Sequence, residues 1–297
     1  MDLHRLRVFA AVFKHRSFSK ASRELFLTQP TISDHIKALE EEFGCSLFDR
    51  MGRSIIPTRE AQVLYERALE ILAKAAALKD MVGKCRGEVQ GELIIGASTI
   101  PGTYVAPALL AAFKGKYPAV RFELIVSDSR EIIDKVAAHE LLLGMVGADL
   151  GNKEVRYRPF IEDELIAVAS PALIAADRLS LGDFLEYPLV NRERGSGTRR
   201  EFEKILQRHE ISLDKLKIAG IFGSTEAVKQ AVKAGLGTAI LSRLSVTDEI
   251  KYHTLKEIKL PGLELRRHFY IITHKKRTLP LAYQTFLEGL EPQSPRG

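Results

Sequence analysis

Cysteine is scarce in this chain: Cys45 and Cys85 are the only two among 297 residues, with no CxxC spacing between them. A disulfide-stapled secreted fold and a thiolate zinc site are therefore not expected, and both thiols read as reduced and packed. The eight histidines fall into no HExxH or other metal-ligand spacing, so no metal is expected. Long apolar runs are missing as well. Nothing approaches the roughly 18 residues of a membrane helix, and the N-terminal MDLHRLRVFAAVFKHRSF is broken by charge throughout. No GxSxG elbow and no GK[ST] phosphate loop occur. The expectation is a soluble, cytoplasmic protein that is not an enzyme, needs no cofactor and has no membrane partner.

A concentrated charge is also absent. The formal charge is +6 and the pI about 9.2, but residues 1–90 hold fifteen Lys and Arg against twelve Asp and Glu. The excess is spread over the chain, so a polyanionic partner has to be argued from local residues.

Three regions differ in period. From residue 3 to about 56 the apolar spacing is helical, beginning with Leu3, Leu6, Phe9, Ala10 and Phe13. Ser17 precedes a short second helix, FSKASREL. Thr28 and Pro30 open a third, TQPTISDHIKALE, which Gly44 stops. SLFDRMGRSIIPT then reads as a short extended pair, or wing. From Pro57 to Gly87 apolar residues recur in alternating steps of three and four: Ala61, Leu64, Ala68, Ile71, Ala75, Leu78, Val82 and Cys85. A helix of that length spans about 45 Å. Its seam asks for a partner, and a homodimer is expected through it. From Gly91 onward short apolar strands alternate with helices, predicting an α/β region with mostly parallel sheets and room for two lobes.

Ile32, Ile36, Leu39 and Phe43 step by four, three and four, which predicts one buried stripe on the third helix. Gln29, Thr31, Ser33, Asp34 and Lys37 fall away from it. A helix following a tight turn, with one face free of bulk, suits the DNA major groove. Gln can pair with adenine there, while Ser and Thr reach bases or phosphates. An ordinary solvated face is the competing reading.

The run ASRELFLTQPTISDHIKALEEEFGCSLFDR, Ala21 to Arg50, closely resembles the LysR-type transcriptional regulators. The match takes in Thr28-Gln29-Pro30, Ser33, Leu39-Glu40, Gly44, Leu47-Phe48 and Arg50. The resemblance covers the whole chain. It implies an α+β and α/β multidomain fold: a winged helix-turn-helix at 1–57, a linker and dimerisation helix at 58–87, and a two-lobed effector domain like a periplasmic binding protein at 88–297. Lobe I would comprise about 91–162 with 269–297, and lobe II 163–268. The resemblance further implies a homodimer or homotetramer that binds promoter DNA, answers to a small-molecule effector and works with RNA polymerase. By position, Gln29, Pro30, Thr31, Ser33, Asp34 and Lys37 would lie at the DNA, and Arg50 and Arg53 would reach it from the wing.

Ser98, Thr99 and Ile100 follow the first α/β strand, where open sheets bind ligands and the family resemblance puts effector contacts. A helix cap is the alternative there. Gly195, Ser196, Gly197, Thr198 and Arg199 combine free backbone N–H groups, two hydroxyls and a guanidinium at a helix start, a setting for an anion. Ser224 and Thr225 head a further helix, with Glu226 expected in its capping pattern, and join the effector-binding set. Together these residues predict a small oxyanion or carboxylate between the lobes. The Gly-Ser-Gly-Thr-Arg run is similar to family members controlling sulfur, selenium or carbon assimilation. The chain departs from the family pattern at Leu141-Leu142-Leu143-Gly144, where relatives carry an aspartate, and at Ser242-Arg243, where a proline is common. The rival reading of RGSGTRR is the phosphate cradle of a transferase.

Overall fold

The computed structural model describes residues 2–51, 54–84 and 89–290. The chain divides into two compact units, Met1–Val89 with Arg277–Leu281, and Gln90–Lys276 with Ala282–Gly297.

In the first unit α1 (Leu3–His15), α2 (Phe18–Leu25) and α3 (Gln29–Phe43) are each opened by a side-chain cap, from Asp2, Ser17 and Thr28. α3 ends at Gly44, whose φ of 67° is the left-handed geometry that glycine adopts without a Cβ clash. The wing is an antiparallel pair, β1 (Phe48–Met51) and β2 (Ser54–Pro57). α4 follows over Arg59–Lys84, 26 residues. Leu6, Phe9, Val12, Ile32, Ile36, Leu39 and Phe48 form the core. Phe43 does not join the expected stripe: it is 44% exposed, because the helix runs past its core before Gly44 turns the chain.

The expected seam of α4 is divided. Ala61 and Ala68 are wholly buried in the core of their own domain, with Tyr65 between them stacked on Phe13 at 4.0 Å. These positions are therefore used within the monomer, and Leu64 packs partly against the same core. Ile71 and Leu78 are 40% and 66% exposed, and Val63 is exposed with them. Ala75 is half-buried. Cys85 and the Val82 side chain lie outside the described residues.

In the second unit β3 (Gly91–Ser98) pairs in parallel with β4 (Val120–Ser127) on one side and β5 (Leu143–Val146) on the other. A wide π-helical turn (Pro101–Val105) and α5 (Ala106–Lys116) link β3 to β4, and α6 (Ser129–Ala137) returns past β3 to β5. The chain order thus reverses at β3, and such a point leaves a crevice beyond the strand's C-terminal end. β6 (Val155–Ala169) is long enough to serve two lobes. Its first ten residues pair with β11 (Arg266–His274), and its last residues pair with β9 (Ala239–Ser242) and β10 (Lys256–Ile258). The second lobe is completed by α7 (Leu181–Leu185), β7 (Leu189–Arg192), α8 (Gly197–Arg208), β8 (Ile218–Phe222), α9 (Thr225–Lys233) and α10 (Arg243–Lys251). α11 (Leu281–Glu288) closes the described chain and packs Phe286 on Phe113 in the first lobe.

The sheets are not mostly parallel, as the alternation of strands and helices suggested. β3/β4, β3/β5 and β7/β8 are parallel, whereas β6 is antiparallel to β9, β10 and β11, and β11 to β5. The reason is the double crossing: one strand leaves the first lobe through β6 and another returns through β11, so the two run in opposite directions side by side.

Candidate functional site

On the first unit, α3 presents two faces. Ile32, Ile36 and Leu39 are buried against α1 and α2, while Gln29, Pro30, Asp34 and Lys37 are exposed and Thr31 and Ser33 half-exposed. The Thr28 cap fixes where the helix begins, and with Gln29 at its first position it fixes which residues turn outward. Ser19 of α2 donates to Gln29 Oε1 at 3.1 Å, so the α2–α3 turn holds the glutamine in place. Lys37 pairs loosely with Glu41 at 3.7 Å, both strongly exposed, and such a pair is worth little. Glu40 has a role that its spacing did not reveal. Its Oε1 accepts from the backbone N–H of Leu47 at 2.7 Å and of Phe48 at 3.3 Å, tying α3 to the start of β1. Arg53 and the Arg50 side chain lie outside the described residues.

On the second unit a narrow polar cleft lies beyond the C-terminal end of β3. Of the sequence-predicted set, Ser98, Thr99, Ile100, Ser196, Gly197 and Thr198 line it together. Ser98 does not cap a helix; its buried Oγ accepts from the Gly147 N–H at 3.0 Å, beside the end of β5. Ser196 caps α8, accepting from the Arg199 N–H. Asp128, which caps α6, also faces the cleft and packs directly on Gly195, where any Cβ would overlap its carboxylate.

Arg199 does not enter the cleft. Its Nε donates to Glu203 Oε1 at 2.7 Å, one helical turn on, and its Nη1 donates to the Arg192 carbonyl at 3.1 Å. A side chain inside the first turn of α8 points back along the helix, onto the end of β7 and away from the ligand side. The guanidiniums in the cleft are instead Arg192 and Arg267, both buried. Neither sits in a recognisable motif. Their only sequence signal is a charged residue within or at the end of an apolar strand.

Arg192, at the end of β7, is held by a fork of bonds to Glu193, 2.8 Å from Nε and 2.7 Å from Nη2. Its Nη1 donates to Thr225 Oγ1 and its Nη2 reaches Thr99 Oγ1 in the other lobe at 3.4 Å. Thr225 therefore meets the cleft through Arg192. Ser224 caps α9 and is not among the lining residues, and Glu226 bonds Gln230 and Lys229 in place of the capping pattern. Arg267, at the start of β11, donates from Nε to Asp163 Oδ2 at 2.7 Å. Ser242 donates to the other oxygen of Asp163 at 2.6 Å. Arg243 beside it is taken up by Glu164 and Glu257. The cleft thus gathers five hydroxyls, from Ser98, Thr99, Ser129, Ser196 and Thr198, two guanidiniums, the Asp128 carboxylate and the N-terminus of a twelve-residue helix, a set of donors suited to an anion. Among the described residues no group of acidic, cysteine and histidine side chains could hold a metal, and no helix is long and apolar enough to cross a membrane.

Two family models match the chain: the bacterial regulatory helix-turn-helix protein of the lysR family over residues 3–62, and the LysR substrate binding domain over residues 86–294. The chain belongs to the LysR family. Members are transcriptional regulators, not enzymes, which removes the transferase reading of RGSGTRR. This LysR-type regulator is 33% identical to the HTH-type transcriptional activator CmpR of Synechocystis sp. over 290 residues, 97% of this chain and 94% of that one. It is 29% identical to the RuBisCO operon transcriptional regulator of Allochromatium vinosum, covering 100% of this chain and 97% of the relative. Among solved structures, the regulatory domain of Synechocystis CcmR in complex with 2-PG matches with a TM-score of 0.61 at 27% identity, over 68% of this chain and 96% of that one. Full-length CbnR bound to its target DNA shares the fold, with a TM-score of 0.63 over 98% of this chain and 99% of that one, at 21% identity.

Proposed function

We propose that this LysR-type regulator binds promoter DNA in a sequence-specific way as a dimer or tetramer, under the control of a small oxyanion or carboxylate held between its effector lobes. The observation that carries the effector class is the cleft itself: two buried guanidiniums and a ring of hydroxyls at a helix N-terminus, with no acidic pair to suit a cation. The CcmR domain, solved with 2-PG, supports an anionic ligand for this chain as well. In the DNA-binding unit, Gln29, Thr31, Ser33 and Lys37 read the major groove, with Pro30 and Asp34 beside them and Arg50 and Arg53 reaching in from the wing. The exposed residues Val63, Ile71 and Leu78 on α4 supply the dimer contact, with Ala75 and Val82 along the same helix. Ligand binding shifts the balance between lobe arrangements and so the spacing of the DNA-bound heads. The regulator works in the cytoplasm with RNA polymerase, and the RuBisCO regulators among its relatives point to carbon assimilation genes as targets.

The test is thermal melting of the full chain with sulfate, phosphate, carboxylates and 2-PG, followed by promoter gel shifts with any binder. A binder raises the melting temperature and alters the shift pattern. An unchanged melting temperature with every anion would overturn the effector class.

A further inference from the structure

We infer that Arg267 is the residue through which the anion closes the two lobes: its guanidinium both takes the ligand and bonds across the hinge. The inference rests on the anion-cleft reading above and adds a site residue and a mechanism of regulation to it. Arg267 occupies the first turn of pairing on β11, the strand that returns from the second lobe. Its register partner is Asp163 on β6, the strand that leaves the first lobe, so the pair sits at the double crossing itself. The side chains are 2% and 0% exposed. With Ser242 donating to the second carboxylate oxygen, Asp163 is fully engaged and fixes the guanidinium plane. The plane lies over Phe269, with Cζ 5.1 Å from the ring centroid.

From that position Nη1 addresses both lobes at once. It donates to the Gly147 carbonyl after β5 at 3.4 Å and to Thr198 Oγ1 on α8 at 3.2 Å. The first is long, hence weak, and the second lies at the upper end of the ordinary range. Nη2 is buried and has no hydrogen-bond partner in the protein. An unpartnered buried donor on a charged group costs more than one on a neutral group, so the orphan here points to something that fills it. A buried guanidinium with one occupied and one unpartnered nitrogen, in a cleft lined by hydroxyls and the start of α8, suits a group with two or more oxygens sharing negative charge. Carboxylate, phosphate and sulfate qualify; a neutral sugar or an amine does not. An anion on Nη2 that also accepts from the Ser196–Thr198 segment joins β11 to α8 by a second route. The closed arrangement then gains bonds that the open one lacks, which is the differential binding that a ligand-driven shift requires.

The test uses the full-length protein with sulfate, phosphate and 2-PG as probes. It reads calorimetric affinity and backbone hydrogen exchange at residues 147–148 and 196–198. The variants are Arg267→Lys, which keeps the charge but loses the fork, and Asp163→Asn with Arg267→Gln, which removes the buried pair together. Expected results are anion binding by the unaltered protein with slower exchange in both segments, at least tenfold weaker binding by Arg267→Lys, and no exchange response in the double variant. If the double variant fails to fold, Arg267→Lys decides. Equal binding and equal protection in the variants would overturn the role of Arg267 while leaving the anion cleft standing. Failure of the unaltered protein to bind any probe would overturn both.

Discussion

Gly197, at the start of α8, stands so close to Gly147 that a Cβ on it would lie 2.9 Å from the Gly147 carbonyl carbon and 3.0 Å from Ser129 Oγ. The two lobes meet here backbone to backbone, and glycine is needed for the approach more than for its own dihedral freedom. Gly197→Ala is expected to hold the cleft open. Overpacking of this kind costs ~1–3 kcal/mol, measurable by denaturant unfolding of the full chain, and it should weaken stabilisation by anions. Unchanged stability with an unchanged anion response would show that the lobes do not need this contact.

The proposed DNA-contacting face of α3 gives a second prediction. Gln29→Ala and Ser33→Ala should each weaken binding to the specific promoter far more than to unrelated DNA, since a bidentate base contact discriminates by ~1–3 kcal/mol. Lys37→Ala should weaken both alike and lower the salt slope by about 1. Competition gel shifts at several salt concentrations separate the two behaviours. An equal loss on both DNAs for Gln29→Ala would remove it from the reading face.

The divided seam of α4 is expected to separate folding from assembly. Ile71→Glu with Leu78→Glu changes only exposed positions and should yield a folded, smaller species by light scattering. Ala68→Glu places a charge in the core beside Tyr65 and should unfold the DNA-binding domain, at a cost of roughly 3 kcal/mol or more. An unchanged molar mass for the double variant would show that assembly uses another surface.

Acid stability should depend on Glu249. Burial raises its pKa, but hydrogen bonds from Lys229 and Lys233 outweigh this and hold it below its ordinary 4.5. A depressed carboxylate stabilises the fold above its unfolded pKa, and that contribution is lost as pH falls through the folded value. The melting temperature of the full chain should therefore drop below about pH 4.5, less steeply in Glu249→Gln. Lys229 is shifted the other way: desolvation lowers its pKa, and the bonds to Glu249 and Glu226 more than reverse that. Its contribution is full below the ordinary 10.5 and is lost only as pH rises through the raised value. Parallel pH profiles for the two proteins below 4.5 would exclude Glu249 as the source.

Much of the N-terminal unit was legible because its signals are local. A cap at Thr28, apolar steps of three and four, and a stop at Gly44 all act within a few residues, and they define α3 and its two faces whatever surrounds it. The hydroxyl run at Ser196–Thr198 was legible for the same reason: a helix start with a side-chain cap is a short-range pattern. Arg199 misled because sequence places a guanidinium near that helix start, whereas Glu203 one turn on takes it.

The apolar periodicity of α4 fixed that it would be a long helix with a seam, but not which residues of the seam its own domain would bury. Only the packing of Phe13 on Tyr65 decided that Ala61 and Ala68 face inward and Ile71 and Leu78 outward. The sequence alone likewise pointed to three regions, the last an α/β part with room for two lobes and with hydroxyls after its first strand and at a helix start. That Arg192 and Arg267 would be the charges of the cleft was decided by tertiary structure. Arg267 meets Asp163 across 104 residues of sequence, and it does so because two crossing strands run antiparallel at the hinge. Local periodicity carries no information about a pairing at that distance; strand register does.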